Sequence, residues 1–242
     1  MTMVVAAMLC MGVASIIGGA TGFGTSLIAT PLMLIAGIGV PEIVVVNLIV
    51  GLVTRVAVAY QLRAHIDWLR VALIGGASLP GAWLGVFTVN MLPEQYLKPA
   101  AGVITMLCGL VMALPLAKDP KPPSRAANVM VGSIGGYLST TTSLNGPPVV
   151  LLLSRAKLPP MSFIADLAGY FVVTNTLSLA LLWGYTDVQP VAMLPMILGC
   201  IASGMLFNWV GMSIAKRLSV RTFRSATVVL VVIAGALTIA TA

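Results

Sequence analysis

Two polar, glycine-rich stretches interrupt apolar segments of this 242-residue chain and restrict the folds open to it. The first stretch covers Gly18–Ser26, and the second covers Ser139–Pro148. Thr21 in the first aligns with Thr142 in the second at an offset of 121 residues, half the length of the chain. Backbone that leaves the helical pattern inside a membrane survives only where protein surrounds it or a cavity adjoins it. Paired interruptions in matching halves therefore indicate a transporter binding site.

The composition places the chain in a membrane. Hydrophobic residues make up 59% of it and charged residues 8%, whereas a soluble domain carries about 25% charged residues. No long hydrophilic segment separates the apolar stretches, so residues 1–242 are predicted to form a single all-α membrane domain. The apolar stretches lie at 3–17, 25–37, 43–62, 68–89, 97–117, 126–138, 147–154, 162–184, 189–211 and 219–240. The net charge of +7 comes from basic residues beside these stretches, so the predicted partner is the lipid bilayer and no nucleic acid.

The interrupted segments are predicted to turn back within the membrane rather than cross it. Met3–Gly18 makes about 24 Å of helix and Thr25–Gly37 about 20 Å, while the hydrocarbon core is roughly 30 Å thick. Neither arm spans the core comfortably alone, and the two end to end overshoot it. Each repeat is therefore predicted to contain one broken re-entrant hairpin and three transmembrane helices. The repeats cover 1–117 and 126–242, and a cytoplasmic linker at 118–125 joins them.

The basic residues test this topology independently, because cytoplasmic loops carry an excess of lysine and arginine. With two hairpins and six crossings, 11 basic residues fall on one side, Lys98 alone falls on the other, and Arg55 lies within a span. If the interrupted segments cross fully, the split is 5 against 7 and shows no bias. The 11 are Arg63, Arg70, Lys118, Lys121, Arg125, Arg155, Lys157, Lys216, Arg217, Arg221 and Arg224. Three crossings in each half make the repeats inverted, with both termini predicted on the non-cytoplasmic side of a cell inner membrane.

The start of each hairpin's second arm is predicted to bind a small anion near the middle of the membrane. Free backbone N–H groups and the helix dipole favour negative charge at such a start, and hydroxyl side chains add donors. The predicted binding residues at the two tips are Thr21, Gly22, Phe23, Gly24, Thr25, Ser26, Thr141, Thr142, Ser143, Asn145 and Gly146. Two alternatives stay open: the first arm's terminal carbonyls suit a cation, and small residues also let helices pack closely.

Polar residues inside the apolar spans add three candidates. Arg55 lies beyond the middle of the 43–62 stretch, and an ionisable residue inside a membrane is a functional hypothesis by default. Its counterpart in the second repeat is near Asn175, so both are assigned to the predicted anion site. Asp166, at a similar depth, is the candidate for coupling transport to protons or to the membrane potential. The structural alternatives are an Arg55–Asp166 ion pair or an arginine that extends toward the interface.

Neither a metal site nor a cofactor is predicted. His65 is the single histidine and no cysteine lies near it, while Asp67 is predicted to cap the N-terminus of the next helix. An enzyme needs clustered acid–base or nucleophilic groups. The six acidic residues and one histidine are instead scattered over loops and helix ends, which argues against an enzyme.

The chain resembles the TauE/SafE family of sulfite exporters along essentially its whole length. The resemblance rests on the stretches Gly18–Leu32, Leu138–Leu153, Ile66–Trp68, Leu79–Gly85 and Leu92-Pro93, and within the second on Asn145-Gly146-Pro147-Pro148. It implies a secondary transporter that exports sulfite, organosulfonates or related small sulfur-containing anions. Thr25-Ser26, Ser143 and Asn145 stand where glycine is common in the family, and these departures concern the choice of anion rather than the fold.

The combined prediction is an anion transporter that holds its substrate between the two broken-helix tips and works by alternating access. The alternative, from another class of protein, is a membrane-embedded enzyme or assembly factor of sulfur metabolism.

Overall fold

Helices make up all the regular structure in the part of the chain that the computed structural model describes. That part comprises residues 2–21, 23–113, 123–156, 158–186 and 191–215, with single positions between 228 and 240. Its α-helices are α1 (Thr2–Thr21), α2 (Thr25–Ile35), α3 (Val40–Gln61), α4 (Trp68–Met91), α5 (Glu94–Ala113), α6 (Arg125–Thr142), α7 (Gly146–Arg155), α8 (Pro160–Tyr185) and α9 (Leu194–Ala215). A short 3-10 helix at Arg63–His65 lies between α3 and α4.

Four of these helices are long and apolar enough to cross a membrane. They are α3, α4, most of α8 and most of α9, over Val40–Gln61, Trp68–Met91, Met161–Tyr185 and Leu194–Gly211. Each coincides with a stretch that the sequence predicted as a crossing. The fifth predicted crossing, 97–117, corresponds to α5, and the sixth, 219–240, lies largely outside the described residues. The prediction of an all-α membrane protein is confirmed at this level.

Local signals in the sequence set several helix ends. The Asp67 carboxylate accepts a hydrogen bond from the Arg70 backbone N–H at 3.0 Å, so Asp67 caps α4 as predicted. Ser124 caps α6 in the same way. Pro147 and Pro148 lie in the first turn of α7, where a missing N–H costs no helical hydrogen bond.

Both helix breaks are shorter than the sequence predicted. The α1 helix continues to Thr21 and α2 begins at Thr25, while α6 continues to Thr142 and α7 begins at Gly146. In α6, the hydroxyls of Thr141 and Thr142 donate to carbonyl oxygens four residues earlier, at 2.8 and 3.1 Å. Such bonds are compatible with a continuous helix. A run of hydroxyl residues therefore does not by itself end this helix.

The second break turns sharply at Ser143. This residue has a left-handed backbone with φ of 58°, a conformation that favours glycine. The Leu144 N–H reaches back to the Leu138 carbonyl at 3.2 Å and closes the end of α6. The turn lets α7 pack back against α6. In the first break, α2 likewise packs against α1.

The long helices and the first arms pack in matched pairs. Helix α1 lies against α9, α6 lies against α4, and α3 lies against α8. Glycines let the backbones meet at two of these crossings. A Cβ added to Gly81 in α4 would lie 1.8 Å from the Ser133 carbonyl oxygen, and one added to Gly211 in α9 would lie 2.0 Å from that of Ile16. Close packing through small residues is typical of helices in membranes.

Candidate anion site

A small polar cavity of about 20 Å³ lies where the two breaks approach α3 and α8. A water molecule needs about 10–15 Å³ of such space, so a larger ligand requires the walls to move apart. Several predicted binding residues line this cavity, from both breaks and from both long helices: Phe23, Thr25, Ser26, Arg55, Asn145 and Asn175. The other lining residues are Asn47, Leu48, Gly51, Thr54 and Phe171.

Arg55 supplies the positive charge of the cavity. Its side chain is buried, with 7% of the residue exposed. The guanidinium carbon lies 5.8 Å from the centroid of the Phe171 ring, within range of a cation–π interaction. One guanidinium N–H donates to the Gly18 carbonyl oxygen at 3.5 Å, in the last turn of α1. Within the described part of the chain, no carboxylate forms an ion pair with Arg55.

The first break brings hydroxyl groups to the same cavity. Thr25 and Ser26 open α2, and its N-cap residue, Gly24, offers no side chain to cap the helix. Neither hydroxyl has a hydrogen-bond partner among the described residues. Gly18 faces Thr25 closely, since a Cβ at Gly18 would lie 1.7 Å from the Thr25 hydroxyl oxygen. The start of α2 therefore combines helix N–H groups with hydroxyls that remain able to donate.

The second break contributes groups that are bonded to one another. The Asn145 NH₂ group donates to the Asn175 side-chain oxygen at 2.9 Å and to the Ser139 hydroxyl at 3.3 Å. The Ser178 hydroxyl bonds to Ser139 at 2.8 Å, which ties α8 to the end of α6. Asn175 in turn donates to the Leu48 carbonyl oxygen of α3 at 3.4 Å. These bonds hold the wall of the cavity in place.

Asn47 and Thr30 belong to the same polar region, and sequence reasoning missed both. The Asn47 NH₂ group donates to the Thr30 hydroxyl at 3.0 Å and to the Ser143 hydroxyl at 2.9 Å. Asn47 lies four residues before Gly51 and eight before Arg55, a spacing that places all three on one face of α3. This spacing, with a polar residue in an apolar helix, is the signal that identifies Asn47.

The remaining predicted binding residues belong to the two breaks, and some of them lie outside the described part of the chain. Thr141 lines a different, larger cavity, and the Thr142 hydroxyl is bonded to its own helix. Gly24 and Gly146 are buried, and a Cβ at Gly146 would lie 3.5 Å from the Phe23 side chain. Gly22 and the side chain of Thr21 lie outside what the structure describes.

The larger cavity, of about 470 Å³, lies beside the first turns of α3. Its lining includes Pro41, Glu42, Val44, Asn90, Thr140, Thr141, Leu182 and Met193. The last turn of α6 separates it from the small cavity, because Thr140 and Thr141 face one side and Asn145 lines the other. Both cavities thus lie along α3, one at its start and the other around Arg55.

Asp166 lies apart from the small cavity. Its carboxylate pairs with the guanidinium of Arg70 and accepts the Asp67 backbone N–H at 2.7 Å. Arg70 also pairs with Asp67 at 3.0 Å. The partner of Asp166 is therefore Arg70 in α4, and the alternative of an Arg55–Asp166 ion pair is not what the structure contains. The role of Asp166 in coupling stays a prediction.

The fold and the site define a helical membrane protein whose buried polar residues meet at breaks between helices. The model of the family described as "Sulfite exporter TauE/SafE" matches residues 7–238. The chain belongs to this family of membrane transporters, and the resemblance seen in its sequence is confirmed.

A relative in Cupriavidus necator carries the name "Probable sulfite/organosulfonate exporter TauE". It is 30% identical to this chain over 166 residues, which are 64% of this chain. The match spans 62% of the length of that relative.

Proposed function

We propose that the protein is a secondary transporter that exports small sulfur-containing anions, such as sulfite or organosulfonates, across a cell inner membrane. The anion binds in the small cavity between the two breaks, and access alternates between the two sides. One observation carries the proposal: Arg55 is buried at this cavity without a carboxylate partner in the described residues. The family and the name of the Cupriavidus relative support the class of substrate.

The charge of Arg55 favours an anionic ligand. A buried cation without a counterion is costly in a membrane, and an anion bound beside it offsets that cost. The hydroxyls of Thr25 and Ser26, which have no partner among the described residues, and the start of α2 add donors on the same side of the cavity. An oxyanion accepts hydrogen bonds from all of these groups.

The position of Arg55 also bears on the cation alternative. The last carbonyls of α1 carry partial negative charge and would suit a cation. Arg55 donates to one of them, at Gly18, so the protein's own guanidinium occupies this role. The donors at the start of α2 remain for a ligand of the opposite sign.

The packing of the helices supports two repeats at 1–117 and 126–242. The first arm of one repeat, α1, packs on the second long helix of the other, α9. The converse pair is α6 on α4, and the two first long helices, α3 and α8, pack on each other. This arrangement, in which each helix packs on a helix of the other repeat, is expected of two related halves that move against each other. The described residues include little of the linker at 118–125.

The proposed topology gives the larger cavity a role as the outer access route. Both termini lie on the non-cytoplasmic side, and the side with 11 basic residues is cytoplasmic. The start of α3, with Glu42, then faces outward together with the larger cavity. Labelling of cysteines introduced at positions 2 and 119 by an impermeant reagent tests this. Thr2→Cys should react from outside intact cells and Asp119→Cys only after permeabilisation, and the reverse pattern contradicts the topology.

Flux of sulfite through purified protein in sealed liposomes tests the function. Vesicles with the protein should exchange labelled sulfite faster than empty vesicles, and the Arg55→Gln variant should fall toward the empty-vesicle rate. Arg63→Gln is the matched control, since it removes an exposed arginine that does not line the cavity. Equal rates with and without protein, for sulfite and for short sulfonates, favour the enzyme or assembly-factor alternative.

A further inference from the structure

Asn47 has a buried acceptor that the protein does not use. Its NH₂ group donates to the hydroxyls of Thr30 and Ser143. Both hydroxyls lie within hydrogen-bond distance of the Thr142 carbonyl oxygen, at 3.4 and 2.6 Å, and their own oxygens are 3.2 Å apart, so each can donate without using Asn47. The Oδ1 atom of Asn47 has no partner in the described part of the chain, although the residue is only 4% exposed. Such unpaired buried acceptors are rare and call for a reason.

The other asparagines of the cavity also direct their NH₂ groups into the protein. Asn145 donates to Asn175 and Ser139, and Asn175 donates to the Leu48 carbonyl oxygen. The donors that remain for a ligand come from Arg55 and from the hydroxyls of Thr25 and Ser26. The described lining residues thus provide one positive charge, a group of donors and, at Asn47, a fully buried acceptor without a partner.

A ligand that satisfies all of these groups has one negative charge and one hydroxyl hydrogen. Arg55 is the single ionisable residue among the described lining residues, so one negative charge balances it. A dianion such as sulfate would keep an excess charge in a buried site and would place an acceptor against the Asn47 oxygen, which is repulsive. An aprotic monoanion would balance the charge but leave this oxygen unpaired. The small volume also favours compact oxyanions.

We propose that the cavity takes small oxyanions in their singly charged, monoprotonated form, of which hydrogensulfite is the sulfur example. The ligand O–H donates to Asn47 Oδ1, while its anionic oxygens accept from Arg55, Thr25 and Ser26. Asn47 is then a specificity-determining residue. This inference rests on the proposed function, because it concerns the same anion site, and it ranks hydrogensulfite above the organosulfonates, whose sulfonate group carries no hydroxyl hydrogen.

Binding of hydrogen selenite and chlorate to the purified, unaltered protein tests the inference. Both probes are pyramidal monoanions with three oxygen atoms, and in mildly acidic solution they differ chiefly in one hydroxyl hydrogen. Hydrogen selenite should bind about tenfold more tightly than chlorate, the size of effect expected from one additional buried hydrogen bond. Hydrogensulfite should behave like hydrogen selenite, and sulfate should bind most weakly.

Asn47→Leu assigns the preference to this side chain. The variant should lose the tenfold preference, because the binding of hydrogen selenite weakens more than the binding of chlorate. Asn128→Leu is the matched control, since Asn128 also has a buried Oδ1 without a partner in the described residues but lines neither cavity described above. This control should keep the preference. If Asn47→Leu does not fold, the two probes on the unaltered protein still decide.

Two results overturn the inference in different ways. Chlorate that binds as tightly as hydrogen selenite means that Asn47 does not accept from the ligand, and the transport function stands. If no anion binds, including hydrogensulfite and short sulfonates, the proposed function fails together with the inference.

Discussion

The surroundings of Arg55 and of Arg70 show two uses of a buried or half-buried arginine. Arg70 pairs with the buried Asp166 carboxylate and with Asp67, so protein groups balance its charge. Arg55 contacts a backbone carbonyl oxygen and the Phe171 ring, and no described carboxylate balances it. The difference indicates that Arg70 fixes α4 to α8, whereas Arg55, under the proposed function, keeps a charge available for a ligand.

The largest expected effect on stability is from Arg70→Gln. The change leaves Asp166, with 2% of its side chain exposed, buried without its cation. The free energy of unfolding should fall by about 3 kcal/mol, which thermal unfolding in detergent measures. Adding Asp166→Asn should restore part of the loss. Arg63→Gln is the control at an exposed arginine, and an equal loss there would mean that the pair contributes nothing particular.

Arg55→Gln should have the opposite effect on the free energy of unfolding when no ligand is bound. It removes a buried charge that has no carboxylate partner in the described residues. The unliganded protein should be unchanged or more stable by about 1–2 kcal/mol, again measured by thermal unfolding. A loss as large as that of Arg70→Gln would show that both arginines are structural and would remove the contrast between them.

Substitutions of Ser143 test the left-handed turn that lies beside the cavity residue Asn47. Their effects on the free energy of unfolding should be smaller than those at the Arg70–Asp166 ion pair. Ser143→Ala keeps a side chain at φ of 58° and removes the bond to Asn47, while Ser143→Gly removes both the bond and the backbone strain. The glycine variant should be more stable than the alanine variant by about 1 kcal/mol. Equal unfolding free energies would mean that the left-handed turn carries no strain.

Thr25→Val should have the smallest effect on stability and a modest effect on the affinity for sulfite. The Thr25 hydroxyl has no partner in the described residues, so its loss should change the unfolding free energy by less than about 0.5 kcal/mol. Sulfite affinity should fall about threefold to tenfold, as for one neutral hydrogen bond. Titration of sulfite by calorimetry checks this, and an unchanged affinity removes Thr25 from the site.

The sequence predicted the long helices and the location of both breaks. The length of each apolar stretch and the points where polar residues interrupt it can be read directly from the order of the residues. The extent of the breaks was predicted less well. Thr141 and Thr142 look like donors for a ligand in the sequence, but their hydroxyls bond within α6 and keep it helical. Local side-chain bonding of this kind depends on rotamers, which a residue list does not specify.

Depth along a helix could be counted from the sequence, but orientation around it could not be inferred from depth alone. Asp166 and Arg55 are predicted at similar depth, yet Asp166 contacts Arg70. Helical residues advance by about 100° each, so Asp166 lies about 140° around α8 from Phe171, whereas Asn175 lies only about 40° from it. Phe171 and Asn175 therefore face the cavity together. The same periodicity, applied to α3 from Arg55 backward, would have identified Asn47.

Calorimetric binding of sulfite to the purified protein, its Arg55→Gln variant and its Arg70→Gln variant tests the central claim most directly. The account predicts that Arg55→Gln lowers the affinity by about 10-fold to 100-fold, as for hydrogen bonds to a charged group. Arg70→Gln should bind as the unaltered protein does at a temperature where it stays folded. Equal affinity in the unaltered protein and Arg55→Gln would contradict the claim that Arg55 balances a bound anion.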